Sequence, residues 1–236
     1  MKPLMELLKQ FFIQRIILYA FIAFFSFFVI VPLGDLRIKF TDDHCSRCLL
    51  YSDVVYNVSV SPDISYFRIR FGEQEVCEYS IAVTSVLCLI YPLVVGGIYF
   101  YLYRRDSAET RDENKLDLGH CLFLVHVLLE VAFVLLILVS ASMISRGFQH
   151  LCESLGAGRD LVPPLLDSCS DAQNFHSWRG YDGSNFYVTL SVATAGSWFL
   201  FLSWLLQALL GLWKLWRLNM LPVLPLGCLP CCDRGE

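Results

Sequence analysis

Residues 118–145 read LGHCLFLVHVLLEVAFVLLILVSASMIS, an apolar run in which Glu130 lies near the middle. An α-helix needs about 20 such residues to cross a hydrocarbon core of about 30 Å. Three other runs, 11–34, 81–103 and 187–213, are also long enough. In lipid, backbone polar groups must be satisfied within the segment, so all four are predicted to be spanning helices. The predicted fold class is an all-α membrane protein, a four-transmembrane-helix bundle.

The composition fits a membrane protein. Of 236 residues, 56% are hydrophobic, and the mean hydropathy is +0.55. A soluble domain would be about 45–50% apolar. The spans take about half of the chain, so residues 1–236 are predicted to form a single membrane domain. The net charge of −4 argues against a nucleic-acid partner, which favours a basic surface.

The first apolar run is predicted to be a retained anchor and not a cleaved signal peptide. Its stretch from Phe11 to Leu33 exceeds the 7–15 residues of a signal-peptide core. The stretch ends in Val31-Pro32-Leu33-Gly34, which lacks the small-x-small pattern of a cleavage site.

Four spans place both termini on one side, leaving outer loops 35–80 and 146–186, an inner loop 104–117 and a tail 214–236. With cytoplasmic termini the inner segments hold ten Lys and Arg residues and the outer loops eight, in weak agreement with the positive-inside rule. The sequon at Asn57 would then face the lumen and accept a glycan. The predicted localisation is therefore the secretory pathway or plasma membrane, with cytoplasmic N- and C-termini.

The cysteines support the same orientation. Five of the ten lie in the outer loops: Cys45, Cys48, Cys77, Cys152 and Cys169. Oxidising compartments allow disulfides there, and one of the five must stay unpaired. Zinc bound by Cys45 and Cys48 with His44 and Cys77 is the less favoured alternative. Three tail cysteines are candidates for palmitoylation: Cys228, Cys231 and Cys232.

The first outer loop is predicted to contain a β-hairpin cap. Apolar and polar residues alternate from Val54 to Val60 and again from Tyr66 to Phe71, around a turn at Ser61-Pro62-Asp63. Isolated hairpins are marginal in water, so a disulfide would help to hold this one.

The third apolar run contains ionisable groups. Glu130 lies four residues after His126, on the same helix face. A carboxylate at this depth costs about 2.5–3.5 kcal/mol on insertion scales and marks function by default. The favoured interpretation is structural: a neutral Glu130, hydrogen-bonded to His126 or to a facing helix through Gln207 or Ser203. A proton- or ion-linked site, or a polar contact with a helix of a partner protein, is the alternative.

Catalytic, cofactor-binding and metal-binding motifs are not recognised. G-x-S-x-G, H-E-x-x-H, P-loop and paired-carboxylate patterns are missing from the sequence, and the other histidines lack ligand spacing. We therefore predict neither an enzyme nor a bound cofactor.

Several short segments, in their order and spacing, resemble the transmembrane protein 179 family. The segments run up to about residue 213: 27–33, 48–51, 77–80, 140–144, 147–152, 168–169 and 185–187, with Trp198 and Trp204. The resemblance implies four spans with cytoplasmic termini and four outer cysteines, matching Cys48, Cys77, Cys152 and Cys169. Cys45 is then the odd thiol, and Glu130 occupies a position that is usually apolar in the family.

From the shared loops and this family pattern, the hypothesis is pairing of Cys48 with Cys77 and of Cys152 with Cys169; pairing between the loops is the alternative. The favoured function is a non-enzymatic auxiliary subunit of another membrane protein, by analogy with other four-span accessory proteins. A small transporter or channel using Glu130 and His126 is the alternative.

Overall fold

A computed structural model describes residues 2–42, 45–56, 67–106, 116–156, 168–174 and 181–217. Four helical rods cross the described part of the molecule, and each is long and apolar enough to span a bilayer. They are α1 (Lys2–Lys39), α2 with α3 (Gln74–Val83 and Tyr91–Asp106), α4 (Leu116–Gly156) and α5 (Phe186–Arg217). The fold class predicted from the sequence is confirmed.

The helices extend beyond the predicted apolar runs at the end where the long loops lie, called here the loop side. α1 continues to Lys39, and α4 continues to Gly156. The added turns are stabilised by packing, since Leu151 and Leu155 of α4 are fully buried beneath the hairpin strands. The opposite end, which contains Phe11, Arg104 and Arg217, is called the tail side.

The second span is not a regular helix. A π-helical segment, Thr84–Ile90, separates α2 from α3 and is followed by Pro92. Proline lacks an N–H and its ring crowds the carbonyl four residues earlier, so a locally wider helix accommodates it. In this wider turn the backbone hydrogen bond runs from residue i to residue i−5: the Tyr91 N–H donates to the Val86 carbonyl.

Packing of the four spans is uneven. α5 packs along both α1 and α4, and α1 also packs along α3 and the π-helical segment. The second span meets α4 mainly through α2, on the loop side. Large rings fill the space between α3 and α4 on the tail side, where the Tyr91 ring lies 4.9 Å from Phe133 and 6.1 Å from His126 between centroids.

The cap is built on an antiparallel hairpin of β3 (Cys48–Tyr56) and β4 (Phe67–Gly72). Two short strands precede it, β1 (Thr41–Asp42) and β2 (Cys45–Ser46). In the hairpin Val54 faces inward while Val55 is exposed, as the alternation predicted. The predicted turn at 61–63 and the sequon at Asn57 lie outside the described residues.

An irregularity interrupts the hairpin between the pairs Cys48–Gly72 and Asp53–Arg70. Within it Tyr51 adopts a positive φ of 59°, and the consecutive residues Leu49 and Leu50 are both buried. A regular strand would turn one of the two leucines outward, so this bulge lets the hairpin seal the bundle with both.

Two disulfides tie the cap region to the helices. Cys48 of β3 is bonded to Cys77 of α2, with Cα atoms 5.8 Å apart. Cys152 of α4 is bonded to Cys169, with Cα atoms 5.1 Å apart. These are the within-loop pairs that the sequence and the family resemblance favoured. Phe40 completes the junction by stacking on Tyr181 and meeting Phe71 edge-on.

Hydrogen bonds attach β3 to the end of α4. The Val54 N–H donates to Ser154 Oγ at 2.6 Å, and the Tyr56 hydroxyl donates to the Leu155 carbonyl at 2.7 Å. The last carbonyls of a helix lack intrahelical donors, and the Tyr56 hydroxyl supplies a donor to one of these carbonyls. Burial raises the pKa of Tyr56 from 10.0 to about 12, which keeps the hydroxyl protonated and able to donate.

We expect Tyr56→Phe to lower the free energy of unfolding by about 1 kcal/mol, because one hydrogen bond is lost and the Leu155 carbonyl loses a donor. The pKa of Tyr56 is raised on folding. The resulting contribution to stability is fully present below pH 10 and is lost as the pH rises through about 12. Denaturation in mild detergent at pH 8 and pH 11 measures both effects. An unchanged stability at pH 8 would mean that this bond does not hold the cap.

Candidate functional site

A charged pair lies in the core of the bundle. The Arg15 guanidinium of α1 contacts both carboxylate oxygens of Glu130 of α4 through Nη2. Both side chains are completely buried, with 0% exposure. α1 and α4 face each other across the bundle, so this ion pair bridges two helices whose backbones share no close seam.

Tyrosine hydroxyls extend the pair on the side of the second span. The Tyr19 hydroxyl donates to Glu130 Oε1 at 2.6 Å, and Arg15 Nη1 donates to the Tyr99 hydroxyl at 3.3 Å. Four rings also surround the guanidinium carbon at 5.4–6.0 Å from their centroids: Phe11, Tyr19, Tyr99 and Phe123. The cation is therefore stabilised by a carboxylate, a hydroxyl and aromatic faces.

His126 links the pair to α3. Its Nε2 lies 3.0 Å from the Tyr19 hydroxyl oxygen and 3.3 Å from Glu130 Oε1, and its Nδ1 lies 2.8 Å from the Tyr91 hydroxyl. The Tyr19 hydroxyl uses its hydrogen in the bond to the carboxylate. The Tyr19 oxygen can therefore only accept from the Nε2–H of His126. In the tautomer that has its hydrogen on Nε2, Nδ1 then accepts from the Tyr91 hydroxyl. Every contact in the chain Tyr91–His126–Tyr19–Glu130 is satisfied by this tautomer.

The cluster lies inside the predicted hydrocarbon region. Tyr99 precedes Arg104 by five residues, which is about 7.5 Å of helix rise from the tail-side boundary. Beyond Arg15 on that side, the Lys214 ammonium lies 4.0 Å from the centroid of Phe11. A lone Arg or carboxylate costs about 2.5–3.5 kcal/mol at the centre of a spanning helix on insertion scales and less toward its ends, so pairing lowers the cost of both groups.

Close helix packing seals the pair from the α5 side. Gly211 lies against α4, where a Cβ would come within 2.9 Å of Val127 and 3.3 Å of Glu130 Oε2. Any larger side chain would push on the carboxylate. Gln207, one turn earlier on α5, is also fully buried, beside Tyr19.

The structure corrects the expected partners of Glu130. Its burial against other helices is as predicted, and His126 Nε2 lies 3.3 Å from Oε1, but the contacts from a facing helix come from Arg15 and Tyr19 and not from Gln207 or Ser203. An arginine side chain stays protonated in proteins, so its contact with both oxygens favours an ionised carboxylate. This geometry favours half of a neutralised pair over the neutral Glu130 of the hypothesis, and the charge state itself stays a prediction.

Arg15 was not predicted to be a site residue, because it was counted with the inner flanking cations. A usable sign was present, since Arg15 falls inside the apolar run 11–34 just as Glu130 falls inside 118–145. Opposite charges in two apolar runs favour a pair, although the sequence does not show that their helix faces meet. Tyr19, Tyr91 and Tyr99 gave no sign beyond being aromatic.

The other predicted site residues are dispersed. The four bonded cysteines, Cys48, Cys77, Cys152 and Cys169, lie on the loop side. Asn57 and the tail cysteines Cys228, Cys231 and Cys232 lie outside the described residues, as does His44. Among the residues that the structure describes, no group of three His, Cys, Asp or Glu side chains could hold a metal ion.

These features define a class: a four-span membrane protein with a disulfide-tied β-hairpin cap on one side and a neutralised ion pair in its core. A family model described as the Transmembrane protein 179/179B Claudin domain matches residues 11–221. The chain belongs to this family of claudin-like multi-pass membrane proteins. No solved structure matches the chain.

Proposed function

We propose that the protein is a non-enzymatic auxiliary subunit of another membrane protein, located in the plasma membrane or secretory pathway with cytoplasmic termini. The observation that carries this proposal is that the ionisable side chains of the core contact one another and neighbouring tyrosine hydroxyls. Arg15 is paired with Glu130, and both nitrogens of His126 have hydroxyl partners. Such a cluster holds helices together and leaves the outer surfaces to contact other molecules.

The confinement of the buried charged groups to one level of the bundle, among the residues that the structure describes, supports the accessory role over transport. Toward the loop side the core continues with Phe133 and Trp204, then Val29 and Ile137. Arg15 also opposes entry of a second cation beside Glu130, since like charges repel in a low-dielectric site.

The cap offers a surface suited to a partner. Disulfides and α4 fix its position, while Val55, Arg68 and Arg70 point away from the core and are exposed. In the hairpin register Val55 lies opposite Arg68, so an apolar and a basic side chain are adjacent on the outer face. A rigid surface loses little conformational entropy on binding.

Affinity purification of the full chain in mild detergent, followed by mass spectrometry, tests the proposal. We expect a membrane protein to be recovered in stoichiometric amount and to be lost with Val55→Glu combined with Arg68→Glu. Glu75→Gln, at another exposed loop-side position, is the matched control and should retain it. A flux assay with purified protein in liposomes gives the contradicting outcome. A proton or cation flux that Glu130→Gln abolishes would show transport and overturn the accessory role.

Asn57 is expected to carry a glycan, because the proposed orientation places its sequon in the lumen. In mammalian cells the protein should migrate faster on gels after N-glycosidase treatment, and Asn57→Gln should remove this shift. Ser59→Thr keeps the sequon and serves as the control. An unchanged mobility in protein that has reached the secretory pathway would contradict the orientation or the access to the site.

A further inference from the structure

The core ion pair joins helices that are made at different times. Arg15 and Glu130 are separated by 115 residues, and the whole second span lies between them in the chain. At synthesis rates of about 5–20 residues per second, the interval between the two residues is roughly 6–23 s. The first span therefore exists for seconds before its counter-charge is made.

During this interval neither Arg15 nor Glu130 has another group of opposite charge to pair with. Among the described residues, the contacts of Arg15 apart from Glu130 are the rings of Phe11, Tyr19 and Phe123 and the ring and hydroxyl of Tyr99, which carry no negative charge. On the other side, Glu130 meets Tyr19 and His126, and neither matches the permanent positive charge of arginine. α1 thus retains the permanent charge of Arg15, and α4 retains an unpaired carboxyl group, in an apolar span until the bundle closes.

We propose that the Arg15–Glu130 pair is an assembly checkpoint. A chain in which the pair has not formed presents an uncompensated intramembrane charge, is retained by the membrane-protein quality-control machinery and is degraded. Once the four-helix bundle has closed, both groups are buried against each other and neutralised, and the protein becomes long-lived. This role does not depend on the accessory function proposed above.

Pulse–chase measurement of the full-length chain in cells tests the checkpoint. Arg15→Leu, Glu130→Leu and the nearly isosteric Glu130→Gln each leave one charge alone and should shorten the half-life several-fold. Arg15→Leu combined with Glu130→Leu removes both charges and should return the half-life close to that of the wild type. The exposed pair Arg37–Glu78, with atoms 3.0 Å apart, is the matched control, and its single Leu variants should be as long-lived as the wild type.

A charge-exchanged variant, Arg15→Glu with Glu130→Arg, keeps the test decisive if the double Leu variant packs poorly. Recovery of the half-life in either double variant supports the checkpoint. The proposal is overturned if the single variants turn over like the wild type. It is also overturned if both double variants are degraded as fast as the single ones.

Discussion

Glu130→Gln is expected to lower the free energy of unfolding by about 3–5 kcal/mol, the range found when one partner of a buried ion pair is removed. The substitution preserves shape and leaves an amide that can still accept from Tyr19, so the loss comes from the uncompensated Arg15 charge. Equilibrium unfolding in mild detergent, followed by the loss of helical circular dichroism, measures the change.

Tyr99→Phe is the control for the surroundings of Arg15. It removes only the hydroxyl contacted at 3.3 Å and should cost about 1 kcal/mol or less. Comparable losses for Glu130→Gln and Tyr99→Phe would show that the charge pair is not what stabilises the core. Tolerance of Glu130→Gln would instead restore the idea of a neutral carboxyl group at this position.

Gly72→Ala is expected to destabilise the cap by about 1–3 kcal/mol, as overpacking does. A Cβ at Gly72 would overlap the carbonyl oxygen of Leu50 and lie 3.1 Å from its carbonyl carbon. Backbone atoms move only if the hairpin opens, so Leu50 and Cys48, which lies opposite Gly72 in the hairpin, would shift from their buried positions. Faster reduction of the Cys48–Cys77 disulfide by a mild thiol, with α1–α5 helicity unchanged, is the specific readout.

Gly34→Ala is the matched control for Gly72→Ala. Gly34 lies in α1, where a Cβ would meet no atom within 4 Å, so alanine should be neutral or stabilising by about 0.5–1 kcal/mol. Similar reduction rates for Gly72→Ala and the wild type would contradict the close approach of β4 to Leu50.

Apolar runs of spanning length and the alternating hairpin residues were sufficient to predict the fold class. Hydrophobic run length decides which segments enter lipid, and this is a local property of the chain. The positions of the helix ends are not determined by the local sequence. α4 continues to Gly156 because Leu151 and Leu155 are covered by β3. Likewise, the bulge that buries both Leu49 and Leu50 depends on what the hairpin packs against.

The sequence by itself determined four spans, an outer hairpin and, through family resemblance, the pairing of Cys48 with Cys77 and of Cys152 with Cys169. It also placed Glu130 in an apolar helix beside His126. Only the tertiary structure decided what Glu130 does, because its charge state depends on whether Arg15, 115 residues away, lies against it. Helix rotation and relative height bring the two together, and both are set by packing across the whole bundle.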